Sequence, residues 1–436
     1  MYIDINIVIL YQYIDTKNMN KEIIKNIIRE KQQEIAEIRF IKRNCFIEPS
    51  ANYVFVGLRR AGKSYLMYQY IHSLIEQGAN TIQDILFVNF EDERIREIKV
   101  EELGLALDAY KEMYNNAKPV LFLDEIQNID GWEKFARRLA DSGYRVFISG
   151  SNAKMLSKEI YTTLGGRFIA KEVFPFTFDE YLKYNKVELD KNWQYGNERT
   201  LVVNYFENYF RYGGFAESFP MLDKRDWLNS LYQKIVLGDI IARNEIRNEN
   251  AMRILVKKIA ESVMHPVALQ KLKNIVDATG ATISKNTLIE YLIHLSDAFL
   301  IFDLSNFSDK FVERETVKKR YLFDNGLLNL FLVDVNSRLL ENLVAISLKK
   351  KYKEEVFYYN KNIEVDFYVP KEKLGVQVAY SISEMATRER EVNALRKLHT
   401  AFELDILQII TYNEEETITT DNVTINVIPI WKWLLN

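Results

Sequence analysis

The run Gly57-Leu58-Arg59-Arg60-Ala61-Gly62-Lys63-Ser64 has the residue types and spacing of a polyphosphate cradle, G-x-x-x-x-G-K-[ST]. Its glycines let the backbone curl so that successive N–H groups face an anion, and the amino end of a following helix adds partial positive charge. Lys63 would then reach the β- and γ-phosphates of a bound nucleotide, and the Ser64 hydroxyl would hold Mg²⁺. Tyr65 opens the helix behind them, so Gly57 to Tyr65 form the candidate nucleotide-binding stretch.

Phosphoryl transfer also needs a carboxylate on the metal and a group that prepares the attacking water. Val120-Leu121-Phe122-Leu123-Asp124-Glu125 supplies both at the end of an apolar strand, Asp124 for Mg²⁺ and Glu125 as general base. A further strand, Arg145 to Ser149, opens into Gly150-Ser151-Asn152, where polar side chains would face the γ-phosphate. Ser151 and Asn152 are candidates for orienting water, although a strand-to-helix turn with an N-cap accounts for them as well. Arg167, in Gly165-Gly166-Arg167-Phe168, is a candidate arginine finger, in cis or toward a neighbouring subunit, or an Arg on a turn. The acids Glu91-Asp92-Glu93 read as a solvated edge rather than a metal site.

These residues must be positioned by strands and helices whose patterns are legible. Tyr53–Val56 is an apolar strand before the cradle, and Tyr65–Gln77 has helical spacing after it. Uninterrupted apolar runs such as Val120–Leu123 and Ile85–Phe90 fit strands of a parallel sheet covered on both faces by helices. The expected fold is therefore α/β, a phosphate-loop parallel sheet with helices on both faces.

Composition sets further bounds. The chain has 436 residues, 48% hydrophobic and 27% charged, with net charge −3, which suits a globular protein of two or three domains. No global electrostatic pull toward nucleic acid or anionic membrane is expected. Cys45 is the single cysteine, so no intrachain disulfide is possible, and it reads as a small buried hydrophobe in a cytoplasmic protein. The apolar run Ile5–Leu10 is too short to span a bilayer, and residues 1–18 read as a loosely attached extension, with no membrane partner expected. The expected divisions are 1–50, an extension and charged helix; 51–176, the nucleotide domain; 177–250, a helical lid; 251–336; and 337–436.

The aromatic segment Tyr205–Tyr212 reads as helical core rather than a stacking platform. Over 251–336, a capped helix from Ser284 and a following strand resemble a winged helix, with Ser284, Lys285 and Asn286 at the groove-facing helix start. Lys271, Lys273, Lys310 and the run Lys318-Lys319-Arg320 add positive charge, which makes DNA a candidate partner beside the alternative of a wing used for packing. Residues 337–436 resemble a degenerate restriction-endonuclease-like α/β core, whose metal site uses a helix Glu, a strand Asp and a [D/E/Q]-x-Lys pair. Glu341, Asp366 and Gln377 match, but Ala379 stands where the lysine belongs, so the region reads as a nuclease relic.

Taken together, GLRRAGKS (57–64), VLFLDEIQNIDGWE (120–133), FISGSNAKMLS (147–157), GGRF (165–168), FPFTFDEYL (174–182), YFRYGGFAES (209–218) and KRYLFDNGLLNLF (319–331) resemble bacterial and archaeal AAA+-type ATPases of the additional-catalytic-glutamate class. The resemblance implies ATP and Mg²⁺ as ligands, Lys63 and Ser64 on nucleotide and metal, Asp124 on metal and Glu125 on water. It also implies an ATPase that moves winged-helix and nuclease-like modules, with a homo-oligomer or protein partner as candidates. A nucleotide-dependent binding switch with little turnover and an ATP-gated DNA nuclease are the alternatives.

Overall fold

The computed structural model describes residues 21–114, 118–420 and 423–435; the apolar run Ile5–Leu10 lies outside the described residues. The chain divides into two compact units between Val173 and Phe174.

The first unit is built on five parallel strands, β1 (Asn52–Val56), β2 (Ile85–Asn89), β3 (Val120–Asp124), β4 (Val146–Gly150) and β5 (Phe168–Glu172), in the order β2-β3-β4-β1-β5. Helices Lys63–Glu76, Gly104–Met113, Trp132–Asp141 and Lys158–Leu164 lie in the connections between them. Every residue of β3 and β4 is buried, which is why those strands read as continuous apolar runs rather than alternating ones. Phe122 and Phe147 lie ring against ring at 4.8 Å, and Tyr70 of the helix after β1 covers Phe147 at 4.8 Å. Burying such rings is the main favourable contribution of this core. β5 was not foreseen, because its sequence, Phe-Ile-Ala-Lys-Glu, carries charge and exposes Ile169, as an edge strand does.

Residues 21–37 form a helix whose Ile24, Ile27, Ile28 and Ile35 recur at helical spacing and are buried. Its Gln32 side chain donates to Ile85 O at 2.8 Å and accepts from Tyr114 Oη at 2.6 Å. This helix therefore packs within the first unit. Cys45 is half-buried rather than buried.

The second unit starts with helices Phe178–Tyr184, Asn197–Tyr212 and Lys224–Gln233 and a π-helical stretch, Lys234–Ala242. In Asn197–Tyr212, Phe206, Tyr209 and Phe210 are buried, as the core reading of that aromatic cluster requires. Helices Glu249–Glu261, Leu269–Ala278 and Lys285–Asp297 accompany an antiparallel sheet of β6 (Val267–Ala268), β7 (Ile301–Ser305) and β8 (Val317–Leu322), in the order β6-β8-β7. The Ser284 side chain caps the last of these helices, accepting from Thr287 N–H at 3.0 Å. Helix Asn336–Tyr352 precedes a six-stranded mixed sheet. Its strands are β9 (Phe357–Asn360), β10 (Glu364–Val369), β11 (Leu374–Val378), β12 (Ile406–Thr411), β13 (Glu416–Thr420) and β14 (Val423–Pro429), in the order β13-β14-β12-β11-β10-β9.

The divisions expected near 250 and 336 fall inside this one compact unit. Two runs distant in sequence tie it together. Asp324 Oδ2 accepts from Gly214 N–H at 2.8 Å, while Oδ1 accepts from Gly326 N–H at 2.7 Å and Leu327 N–H at 3.2 Å. Asn325 Nδ2 donates to Phe210 O and Leu339 O, each at 3.0 Å. Gly214 is required there, since a Cβ would sit 2.1 Å from Phe176 O.

Burial pushes the Asp324 carboxyl up to about 7 from an ordinary 3.8, outweighing the backbone N–H groups that oppose the shift. The folded state thus holds a proton that the unfolded state releases near pH 4. This group's stabilising contribution is full below about pH 4 and is lost as pH rises toward 7. Asp324→Asn should flatten that part of the decline in thermal midpoint between pH 4 and 7, as read by calorimetry.

Candidate nucleotide-binding site

The site lies at the carboxyl ends of β1, β3 and β4, with β4 paired between the other two. β1 delivers the cradle. Gly57 has φ 152, and a Cβ on it would lie 2.2 Å from Val173 O, so the chain turns off β1 in a space only glycine fits. Arg60 (φ 63) and Gly62 (φ 93) are left-handed, and Gly62 is the N-cap of helix Lys63–Glu76. That helix end has no side-chain cap and no acid in its first turn, leaving its N–H groups and dipole for an anion.

Lys63 is buried and folds back over the cradle, its Nζ donating to Gly57 O at 3.1 Å and Leu58 O at 3.3 Å. It also pairs with Glu125 Oε1 at 3.4 Å. The Ser64 hydroxyl donates to Asp124 Oδ2 at 2.8 Å. Leu58 and Ala61 are buried, Arg59 pairs with Glu91 at 2.7 Å, and the Tyr65 side chain is exposed. Lys63, Ser64, Asp124 and Glu125, separated by about sixty residues in sequence, thus form one cluster.

Glu125 is left-handed (φ 52), a strained conformation for a non-glycine residue at the end of a strand. Ser149 of β4 links the two acids: its hydroxyl donates to Asp124 Oδ1 and accepts from Glu125 N–H at 3.1 Å. Gln127 Nε2 donates to Glu125 Oε2 at 2.6 Å and lies 3.4 Å from Ser151 Oγ. Burial pushes the Asp124 carboxyl up to about 6, reinforced by Glu125, although hydrogen bonds from Ser149 and Ser64 oppose it. Burial also acts to raise Glu125, but the Lys63 charge and the Gln127 hydrogen bond hold it below the usual range. The two acids are therefore driven apart by burial on one side and the Lys63 charge on the other.

Of the other candidates, Ser151 is buried beside Gln127. The Asn152 side chain accepts from Lys154 N–H at 2.8 Å and caps the turn Ala153–Leu156. Arg167 is not brought to the cluster. It precedes Phe168, which pairs with Asn52 at the amino end of β1, about 13 Å of strand from the cradle. There it pairs with Asp141 and donates to Gly165 O at 3.0 Å. An arginine finger in cis is corrected by that placement.

Sequence reading passed over Ser149, Gln127 and Arg43. Ser149 ends a strand that had been identified, so its position was a usable signal. Arg43 gave none: it sits in an irregular stretch, yet it is buried and its Nη1 donates to Ala61 O at 3.0 Å, bracing the cradle. Its backbone exchanges two hydrogen bonds with the Gln69 side chain, at 2.7 and 2.9 Å.

Residues 50–182 match the AAA-domain family, and residues 203–338 match a family described as a domain of unknown function. An uncharacterized protein of Methanocaldococcus jannaschii is 35% identical over 452 aligned residues, covering 99% of each chain. The chain belongs to this family of AAA-domain P-loop proteins. An uncharacterized Haemophilus influenzae protein is 31% identical, covering 76% of this chain and 83% of its own. Among solved structures, the Walker-type ATPase of Pyrococcus abyssi is similar at 14% identity and a TM-score of 0.39, covering 64% of this chain and 90% of its own. Among the described residues, no helix is long and apolar enough to cross a membrane.

Losing a buried hydrogen bond to a charged group costs about 1.5–3 kcal/mol. Ser149→Ala should therefore lower the unfolding free energy of the chain by about 1.5–3 kcal/mol, as read by denaturant titration.

Proposed function

We propose that the first unit binds ATP with Mg²⁺ and hydrolyses it. The observation that carries this reading is the convergence of Ser64 with Asp124 at 2.8 Å and of Lys63 with Glu125 at 3.4 Å on one uncapped helix end. The donor set fits the ligands: an ammonium and free N–H groups for phosphate oxygens, a hydroxyl and a carboxylate for a hard cation. When bound, Mg²⁺ would offset charge on the β- and γ-phosphates.

Lys63 would exchange Gly57 O and Leu58 O for phosphate oxygens. That exchange loosens its pairing with Glu125 and leaves the carboxylate able to take a proton from water. Ser149 and Gln127 hold Glu125 in place while this happens. Asn152 would contribute to water placement through the turn it caps, and Arg167 would act only on the site of a neighbouring subunit. A nucleotide switch with little turnover would use the same contacts without the proton transfer; Glu125 beside Asp124 favours hydrolysis.

Phosphate release in a malachite-green assay tests the reading. Glu125→Gln should keep ATP affinity and lose turnover by about 10²–10⁴-fold, the usual worth of a general base. Lys63→Ala should lose both. Wild-type phosphate release that persists unchanged in Glu125→Gln would remove that residue from the mechanism.

DNA contact through the helix Lys285–Asp297 finds less support than the neighbouring cations in the sequence suggested. Lys319 and Arg320 are buried, Lys318 lies 3.4 Å from Glu315, and Lys273 pairs with Asp277. Cations so engaged contribute little to phosphate binding. Lys285 and Asn286 remain exposed at the helix start. Lys271 and Lys310 are exposed as well, so duplex binding by these three lysines should show a salt slope of at most about three, one for each phosphate contact, in fluorescence anisotropy titrations.

A further inference from the structure

The acids expected to hold a metal in the nuclease-like region do converge, but on a lysine. Lys319 of β8 is fully buried, and its Nζ lies 3.4 Å from Glu341 Oε1, 3.1 Å from Asp366 Oδ1 and 3.4 Å from Glu364 Oε1. Ala379, where sequence reading looked for the cation, packs instead in an apolar cluster with Leu395 and Ile409. The ammonium therefore arrives from a different sheet, about sixty residues upstream in the chain.

The rest of the cluster is already engaged. Glu341 Oε1 accepts from the Tyr321 hydroxyl at 2.7 Å, and Asp366 Oδ2 accepts from Val378 N–H at 3.0 Å. Gln377 Oε1 accepts from Asp366 N–H at 2.8 Å, and its amide donates to Glu364 O at 3.2 Å and Glu391 Oε2 at 2.7 Å. Gln377 is thus committed inside the protein rather than offered as a ligand. Mg²⁺ demands near-octahedral oxygens at about 2.0–2.1 Å. Here a fixed ammonium stands among the same oxygens and would repel a second cation. With the Lys319 ammonium among these acids, no group of His, Cys, Asp or Glu among the described residues has the geometry to hold a metal. The residues present do not fit the divalent ion that the nuclease resemblance implies.

We propose that Lys319 is a tethered cation occupying the place of the divalent metal, so that this region cleaves no phosphodiester, and that removing the ammonium uncovers a divalent-cation site formed by Glu341, Asp366 and Glu364. An adjoining cavity of about 510 Å³, lined by those three acids, by Glu391 with its partner Arg390, and by Lys397, opens onto the cluster.

The test uses the full chain in an Asp124→Asn background, which silences the cradle acid, with Mn²⁺ as probe and no nucleotide. Lys319→Met keeps the length and apolar stem while deleting the charge. Its thermal midpoint should fall by about 10 °C, as for a buried charge cluster that has lost its partner. Mn²⁺ should restore most of that loss, and the added change Asp366→Asn should abolish the restoration. The chain retaining Lys319 should show no Mn²⁺ shift that depends on Asp366. A Lys319→Met chain that folds but does not respond to Mn²⁺ would overturn the proposal. Should Lys319→Met fail to fold, the chain with Lys319 intact decides. Asp366-dependent Mn²⁺ binding by calorimetry, or Asp366-dependent nicking of supercoiled plasmid, overturns the proposal, and the absence of both upholds it.

Discussion

An ion taken out of water loses several kcal/mol of hydration unless opposite charge or aligned donors replace it. That constraint shapes both halves of this chain. Lys63 is buried against Glu125 and two cradle carbonyls. Asp124 is buried against the hydroxyls of Ser64 and Ser149. Asp324 is buried against three backbone N–H groups, and Lys319 against three carboxylates. In each case at least one compensating group comes from a distant part of the chain, so the charge and the fold specify one another.

The consequences differ between the units. In the first, compensation is exchangeable. The Lys63 contacts are backbone carbonyls and one carboxylate, which phosphate oxygens can replace at little cost because the helix end behind them is uncapped. In the second, compensation is closed: the Glu341 and Asp366 carboxylates around Lys319 are also bonded by the Tyr321 hydroxyl and Val378 N–H, and Gln377 fixes the Asp366 and Glu364 backbone. Exchangeable pairing suits a site that binds and releases; closed pairing suits a joint that holds β8, helix Asn336–Tyr352 and β10 in register. Strand order supports the same division. β4 lies between β1 and β3, so Ser149 can reach both acids from the middle of the site.

Much of the first unit was legible in sequence because its chemistry is local. The cradle spans adjacent residues, its glycines answer to steric needs, and runs such as Val120–Leu123 are apolar because both faces of the sheet are covered. The pairing of Asp124 and Glu125 at a strand end followed from the same pattern. The capped helix start at Ser284 and the aromatic core of Asn197–Tyr212 were legible for the same reason, since caps and helical spacing act over a few residues.

What tertiary structure alone decided concerns partners far apart in sequence. Arg43 gives no pattern, yet it braces Ala61; Arg167 follows two glycines that suggest a site, yet parallel pairing with β1 puts it at the other end of the sheet. Lys318-Lys319-Arg320 looks like a basic patch in one dimension. The β8 pairings and the burial of Lys319 and Arg320 turn most of it inward, and the acids that meet Lys319 come from residues 341, 364 and 366. Residue types and short-range periodicity determine which groups can do chemistry. Strand order and long-range packing decide which of those charges meet, because the cost of burial is settled by neighbours that local sequence does not name.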